Sequence, residues 1–171
     1  MGFALPSVIG AHFASGKQQI IMLEGDGSLH LNMQELQTIN TYHINAKMFI
    51  WSNTGYAAIS TMQERNFEGF YVGSNPESGV VMPDLSKIAA AYDLLYVRID
   101  KNENIEENLC KVFAKERAVL CEVVGDIAFD EIPKCISNVN EQGVRVSASL
   151  ENPYPFLSDE EMEQIWQKLP E

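Results

Sequence analysis

The 171-residue chain carries 24 acidic against 12 basic residues, a net charge of −12, which excludes a general electrostatic affinity for nucleic acid. It has no apolar run long enough for a membrane-spanning helix. Its start, Met1-Gly2-Phe3, lacks the basic segment of a secretion signal, and Pro6 stands where a myristoylation signal requires Ser or Thr, so a cytoplasmic protein is expected.

Residues 5–14 read as a helix, with Pro6 tolerated in the first turn and Gly16 closing it. The apolar run 19–23 predicts a short buried strand, and the turn Gly25-Asp26-Gly27-Ser28 follows it. The next helix takes Asn32 as its expected N-cap, with Glu35 completing a capping-box pair, and Leu36 and Ile39 begin its apolar stripe. Residues 46–51 predict a second buried strand, leading into Ser52-Asn53-Thr54-Gly55-Tyr56. Residues 61–82 hold Gly69, Gly73, Pro76 and Gly79 among Phe67, Phe70 and Tyr71. They read as a long loop without regular structure, which either carries function or packs on its own aromatics. A helix over 84–92 capped by Asp84, a strand over 94–99, a helix over 105–115 and a strand over 118–124 continue the alternation. From Pro133 the character changes to an extended arm with Pro153 and Pro155, then a short helix to Leu169 capped by Ser158. Such an arm either wraps a neighbouring domain or subunit or is a partly ordered terminus.

The alternation predicts an α/β fold, a three-layer parallel sheet with helices on both faces, over residues 1–132, with residues 133–171 as the C-terminal arm. Cys110, in a helical pattern, and Cys121, in an apolar strand, read as reduced core thiols; with Cys135 the three are too widely spaced for a metal site. His12 and His43 read as helix-surface residues. No His–Cys–Asp cluster suggests zinc and no Gly-x-Ser-x-Gly elbow suggests a hydrolase.

Asp26 and Asn53 carry most of the functional signal. In a right-handed strand–helix–strand unit, the turns that hold them fall at the carboxyl ends of neighbouring parallel strands. Magnesium takes about six oxygen ligands and is held by one or two protein groups plus phosphate oxygens. Asp26 offers charge, Asn53 a neutral oxygen, and the Gly55 carbonyl a third ligand. Gly25 and Gly27 allow positive φ and close approach of the backbone to a phosphate, with Ser28 adding a hydroxyl. A lone Gly-Asp-Gly is often only a tight turn; the second turn at a compatible spacing distinguishes this one. His30, close behind the first turn, is a candidate for moving protons near neutral pH, against a purely structural role at a helix entrance.

Gly25-Asp26-Gly27-Ser28 followed by Ser52-Asn53 resembles the motif of thiamine diphosphate-dependent enzymes, which opens on Gly-Asp-Gly and closes on paired asparagines. The segments that begin at Met1, Asn32 and Pro83 resemble the acetolactate synthase branch, and the likeness runs from Met1 to about Val124. The resemblance implies thiamine diphosphate and Mg2+ as cofactors. It implies Asp26, Asn53 and the Gly55 carbonyl as metal ligands, and Gly25, Gly27, Ser28 and the backbone around Tyr56 as the diphosphate cradle. Met1 falls where a methionine lies against the thiazolium. Two positions depart from the pattern: Ser52 replaces the first asparagine, and Glu24, just before the glycine turn, is either a solvated strand end or a shaper of the substrate pocket.

The implied activity is that of a 2-keto acid carboligase or decarboxylase. Its relatives are much longer, so the chain is expected to be an N-terminally incomplete, cofactor-binding portion, inactive without a pyrimidine-binding domain or subunit. A homo-oligomer is expected, because the family's sites form between subunits. The alternative is a non-catalytic truncated relative that serves as a binding or assembly module.

Overall fold

Each of the four expected apolar runs forms a strand, because each is short, β-branched or aromatic, and bounded by turn residues. The computed structural model describes residues 1–126, 132–139 and 142–168. Strands β1 (Ile20–Gly25), β2 (Ala46–Ser52), β3 (Leu95–Ile99) and β4 (Val119–Val124) make one sheet in the order β1-β2-β4-β3, every neighbouring pair parallel. The register pairs Gly25 with Trp51, so the turns after β1 and β2 leave the sheet side by side.

Helices α1 (Ala4–Ala14), α2 (Asp26–Leu29), α3 (Glu35–Thr41), α4 (Ala57–Asn66), α5 (Leu85–Ala91) and α6 (Ile105–Phe113) surround it. Strand alternation sorts the core into two layers. On one face Met22, Met48, Ile50 and Leu120 pack with Leu5 and Val8 of α1, Leu36 and Ile39 of α3, and Leu85 and Ala89 of α5. On the other, Phe49, Val119, Cys121 and Ile99 pack with Val112 of α6. This is the expected three-layer α/β arrangement. Lys47 also lies in the sheet, fully buried, and its ammonium donates to Asn45 Oδ1 and to the carbonyls of Lys115 and Arg117 at 2.6, 2.6 and 2.7 Å. Those three acceptors satisfy a charge that could not otherwise be buried.

Several expectations are corrected. Asn32 does not cap α3. The chain turns helical at Asp26 and stays so through a 3-10 turn at His30–Asn32, leaving no extended residue to act as a cap. The Asn32 amide instead donates to the Gly2 carbonyl, and Glu35 accepts from Thr38 Oγ1 at 2.8 Å. The stretch 61–82 is not without regular structure: α4 runs to Asn66, and a 3-10 turn at Pro76–Ser78 is capped by Asn75. Helix α4 escapes a periodicity argument because Ser60 is its one buried residue. His12 is buried rather than on the surface, its Nδ1 sharing a 2.9 Å hydrogen bond with the Gln18 carbonyl. Cys110 is exposed, and of the two expected core thiols Cys121 alone is buried.

The chain divides into two compact units, Met1–Ala128 and Phe129–Glu171. The second, expected as an extended arm, contains an antiparallel pair, β5 (Ser137–Val139) with β6 (Arg145–Ser147), and helix α7 (Asp159–Trp166). Ser158 caps α7 in a capping box with Glu161. Leu169, the expected end of that helix, lies outside the described residues.

Candidate functional site

The two turns at the carboxyl ends of β1 and β2 are joined by one side chain. Asp26 is 2% exposed; its Oδ1 accepts the Gly27 N–H at 2.8 Å, and its Oδ2 accepts the N–H groups of Asn53 and Thr54 at 3.1 and 3.0 Å. Burial pushes the Asp26 carboxyl above its ordinary value, and these three N–H donors and the nearby His30 oppose that rise. A cation at the carboxylate would favour the ionised form in the same way.

Asn53 presents its amide oxygen differently. Its backbone is spent, with the N–H on Asp26 and the carbonyl taking the Thr54 hydroxyl at 2.7 Å, whereas Oδ1 is buried with no partner among the described residues. A buried acceptor without a donor is costly and calls for an explanation. An oxygen-seeking cation supplies one, because it needs acceptors and offers no proton. Among the described residues no group of three or more His, Cys, Asp or Glu side chains could hold a metal. A cation here therefore relies on Asp26, amide and backbone oxygens, and oxygens brought by its ligand.

The glycines matter for space rather than for dihedral angle. Gly25 is extended, at φ −83°, and neither it nor Gly27 uses the positive φ open to a glycine; the left-handed residue in the site is Thr54, at φ 67°. A Cβ on Gly27 would lie 2.5 Å from the Tyr56 ring, and one on Gly55 would lie 2.6 Å from the Ser74 carbonyl oxygen. The Tyr56 N–H donates to that same carbonyl at 2.7 Å. Sequence reasoning missed the third partner in this arrangement. Ser74, fully buried, donates its hydroxyl to Gln63 of α4 at 2.6 Å and fixes the loop against Gly55 and Tyr56. The signal was present in Asn75-Pro76-Glu77-Ser78, where a capping residue precedes Pro at the first helical position.

The other candidates are placed as follows. Ser28 Oγ donates to Glu24 Oε1 at 2.6 Å and accepts the Gly2 N–H at 2.7 Å. Glu24 is thus not a solvated strand end: its second oxygen, Oε2, is buried without a partner among the described residues. His30 Nε2 is buried and likewise unpartnered there. Met1 is 72% exposed, next to the tethered Gly2.

Residues 1–123 match the family described as thiamine pyrophosphate enzyme, C-terminal TPP binding domain. The acetolactate synthase large subunit of Cyanidium caldarium is 28% identical over 124 residues, covering 72% of this chain and 21% of that protein. The acetolactate synthase large subunit of Lactococcus lactis subsp. lactis (strain IL1403) is 30% identical over 125 residues, with the same two coverages of 72% and 21%. The solved Rhodococcus jostii RHA1 thiamine diphosphate-dependent 4-hydroxybenzoylformate decarboxylase superposes with a TM-score of 0.66 at 27% identity, over 77% of this chain and 24% of that one. The chain spans about a fifth of the length of the curated relatives it matches.

Proposed function

The chain belongs to the thiamine pyrophosphate enzymes, as their C-terminal TPP-binding domain, and from that premise we propose that it holds thiamine diphosphate through a magnesium ion for a 2-keto acid carboligase or decarboxylase of the acetolactate synthase kind. The observation that carries this reading is the buried, unpartnered Asn53 Oδ1 beside a buried Asp26 carboxylate. Asp26 and Asn53 would ligate the metal by their side chains and Gly55 by its carbonyl. The N–H group of Ser28 would meet the diphosphate, together with those of Ala57 and Ala58 in the first turn of α4, which have no intrahelical acceptor, while the Gly27 N–H stays on Asp26 Oδ1. Gly25 and Tyr56 shape the same cradle. Residues 19–34 and 52–64 contain no Lys or Arg, so within these segments a divalent cation is the means of neutralising a diphosphate next to Asp26 and Glu24.

Thiamine diphosphate, when bound, supplies a nucleophilic carbon on which a 2-keto acid loses carbon dioxide and its remainder is protonated or joined to an acceptor. The chain's own part is to hold and orient: Asp26 ties the two turns together, Ser74 fixes the Gly55–Tyr56 backbone, and His30 is the candidate for moving a proton near the site. The pyrimidine end of the cofactor calls for a further domain or a separate subunit, and a homo-oligomer would assemble the complete site.

Calorimetric titration with thiamine diphosphate, with and without magnesium, tests this reading. Binding that requires magnesium and is lost in Asp26→Ala is the expected result. A folded chain that binds nothing under either condition would leave the assembly-module reading in its place.

A further inference from the structure

Glu24, one residue before the end of β1, lies on the same face as the buried Met22, so the strand turns its side chain toward the layer that contains α1. A strand-end glutamate with only a solubility role would give both oxygens to water. This one has Oε1 on the Ser28 hydroxyl and Oε2 buried without a partner among the described residues.

The Ser28 hydroxyl has one proton, and Glu24 takes it. Ser28 Oγ therefore meets a diphosphate oxygen as one acceptor meets another, which leaves the backbone N–H as the group Ser28 offers an anion. What the hydroxyl does instead is pass the hold of Glu24 on to the Gly2 N–H. Gly2 is also fixed from the other side. Its carbonyl accepts the Asn32 amide, its φ is +73°, and a Cβ there would lie 2.8 Å from Leu31 Cβ and 2.9 Å from Asn32 Nδ2. A residue whose donor, acceptor and dihedral are all fixed is a rigid mount, and it carries Met1, an apolar side chain left 72% exposed.

We propose that Glu24 is a positioning residue of the cofactor site: acting through Ser28, it clamps Gly2 and so fixes Met1 at the rim of the Asp26 turn, against the uncharged part of the ligand. The inference rests on the thiamine diphosphate reading above. It separates two parts of the ligand, because the clamp serves the organic rings while Asp26 and Asn53 serve the metal and diphosphate.

The test titrates the chain with magnesium thiamine diphosphate and with magnesium pyrophosphate, which lacks the rings, and measures the backbone order parameter of Gly2 by nuclear magnetic resonance. Glu24→Leu and Ser28→Ala are each expected to weaken thiamine diphosphate about tenfold, the effect of one lost charge-assisted hydrogen bond. Pyrophosphate binding should stay within about twofold, and Gly2 should lose order while Ile50 of β2 does not. The double variant should be no worse than either single one, since both cut the same relay. Glu24→Gln keeps an acceptor for the Ser28 hydroxyl without its charge, and should recover the order of Gly2 and most of the lost affinity. The proposal is overturned if Glu24→Leu weakens both ligands alike, or leaves both ligands and Gly2 unchanged. A wild type that binds neither ligand, with Gly2 still losing order in Glu24→Leu, refutes the cofactor reading and leaves the clamp standing.

Discussion

An acceptor buried without a donor costs about 1–3 kcal/mol, and Asn53 Oδ1 bears that penalty while the backbone N–H beside it is bonded to Asp26. Asn53→Ala removes the penalty along with the proposed metal ligand, so stability and binding should move in opposite directions. The melting temperature of the ligand-free chain should hold or rise, by about 2–4 °C for each kcal/mol recovered in a chain of this size. Magnesium-dependent affinity for thiamine diphosphate should fall at least about tenfold, as for the loss of one ligand worth about 1.4 kcal/mol. Differential scanning calorimetry and titration on one preparation check both; a melting temperature that falls with the affinity would make the amide a structural group. That Asp26 and Asn53 meet in space was legible in the sequence, because two turns after buried parallel strands have few other places to go. The glycines were legible as necessary, but for a different reason: the constraint at Gly27 and Gly55 comes from Tyr56 and Ser74, which only tertiary packing brings there. The same holds for Glu24. A strand-end acid looks the same in sequence whether it faces water or Ser28.

Between β3 and β4, Tyr96, Arg98 and Glu122 form a polar contact. Glu122, 7% exposed, accepts both the Tyr96 hydroxyl and Arg98 Nη1, the latter at 2.8 Å. Burial, reinforced by the Glu122 carboxylate, pushes the Tyr96 phenol up to about 12, and burial pushes the neighbouring Cys121 thiol up to about 11. Both groups are neutral when the pair of strands is intact, and their folded values lie above the unfolded ones. Their contribution to stability is therefore complete below the unfolded values and is lost as pH rises through the folded ones. The melting temperature should fall between about pH 9 and 12, and Tyr96→Phe should flatten the upper part of that fall while Arg98 keeps its bond to Glu122. Identical slopes in the two proteins would show that Tyr96 is not coupled to folding. Elements with a buried stripe or run were legible, as α3 shows with Leu36 and Ile39 and β2 with Met48, Phe49 and Ile50. Helix α4 was not, since it rests on polar ties such as Gln63 to Ser74. The short β5–β6 pair left no alternating apolar pattern to read.

At the scale of the whole chain, the two faces of the sheet are covered unequally. The layer of α1, α3 and α5 seals one face, whereas on the other α6 packs against β3, β4 and Phe49 of β2. Over β1 that second face stays open: Ile21 and Leu23 are 57% and 77% exposed, and Trp51, beside them on β2, is 42% exposed. No helix among the described residues is long and apolar enough to cross a membrane, so these side chains are not part of a spanning helix. Contiguous exposed apolar surface next to an outer strand favours association between copies, even though a net charge of −12 opposes it at long range. The chain should therefore sediment as species that grow with concentration, and more so in high salt, which screens the repulsion and leaves the apolar attraction in place. Leu23→Lys puts a charge at the most exposed of these positions without entering either core layer. It should shift the distribution toward monomer, with an unchanged circular dichroism spectrum and unchanged magnesium-dependent cofactor binding. A wild type that stays monomeric at high concentration and high salt would mean that this face needs no partner to remain in solution.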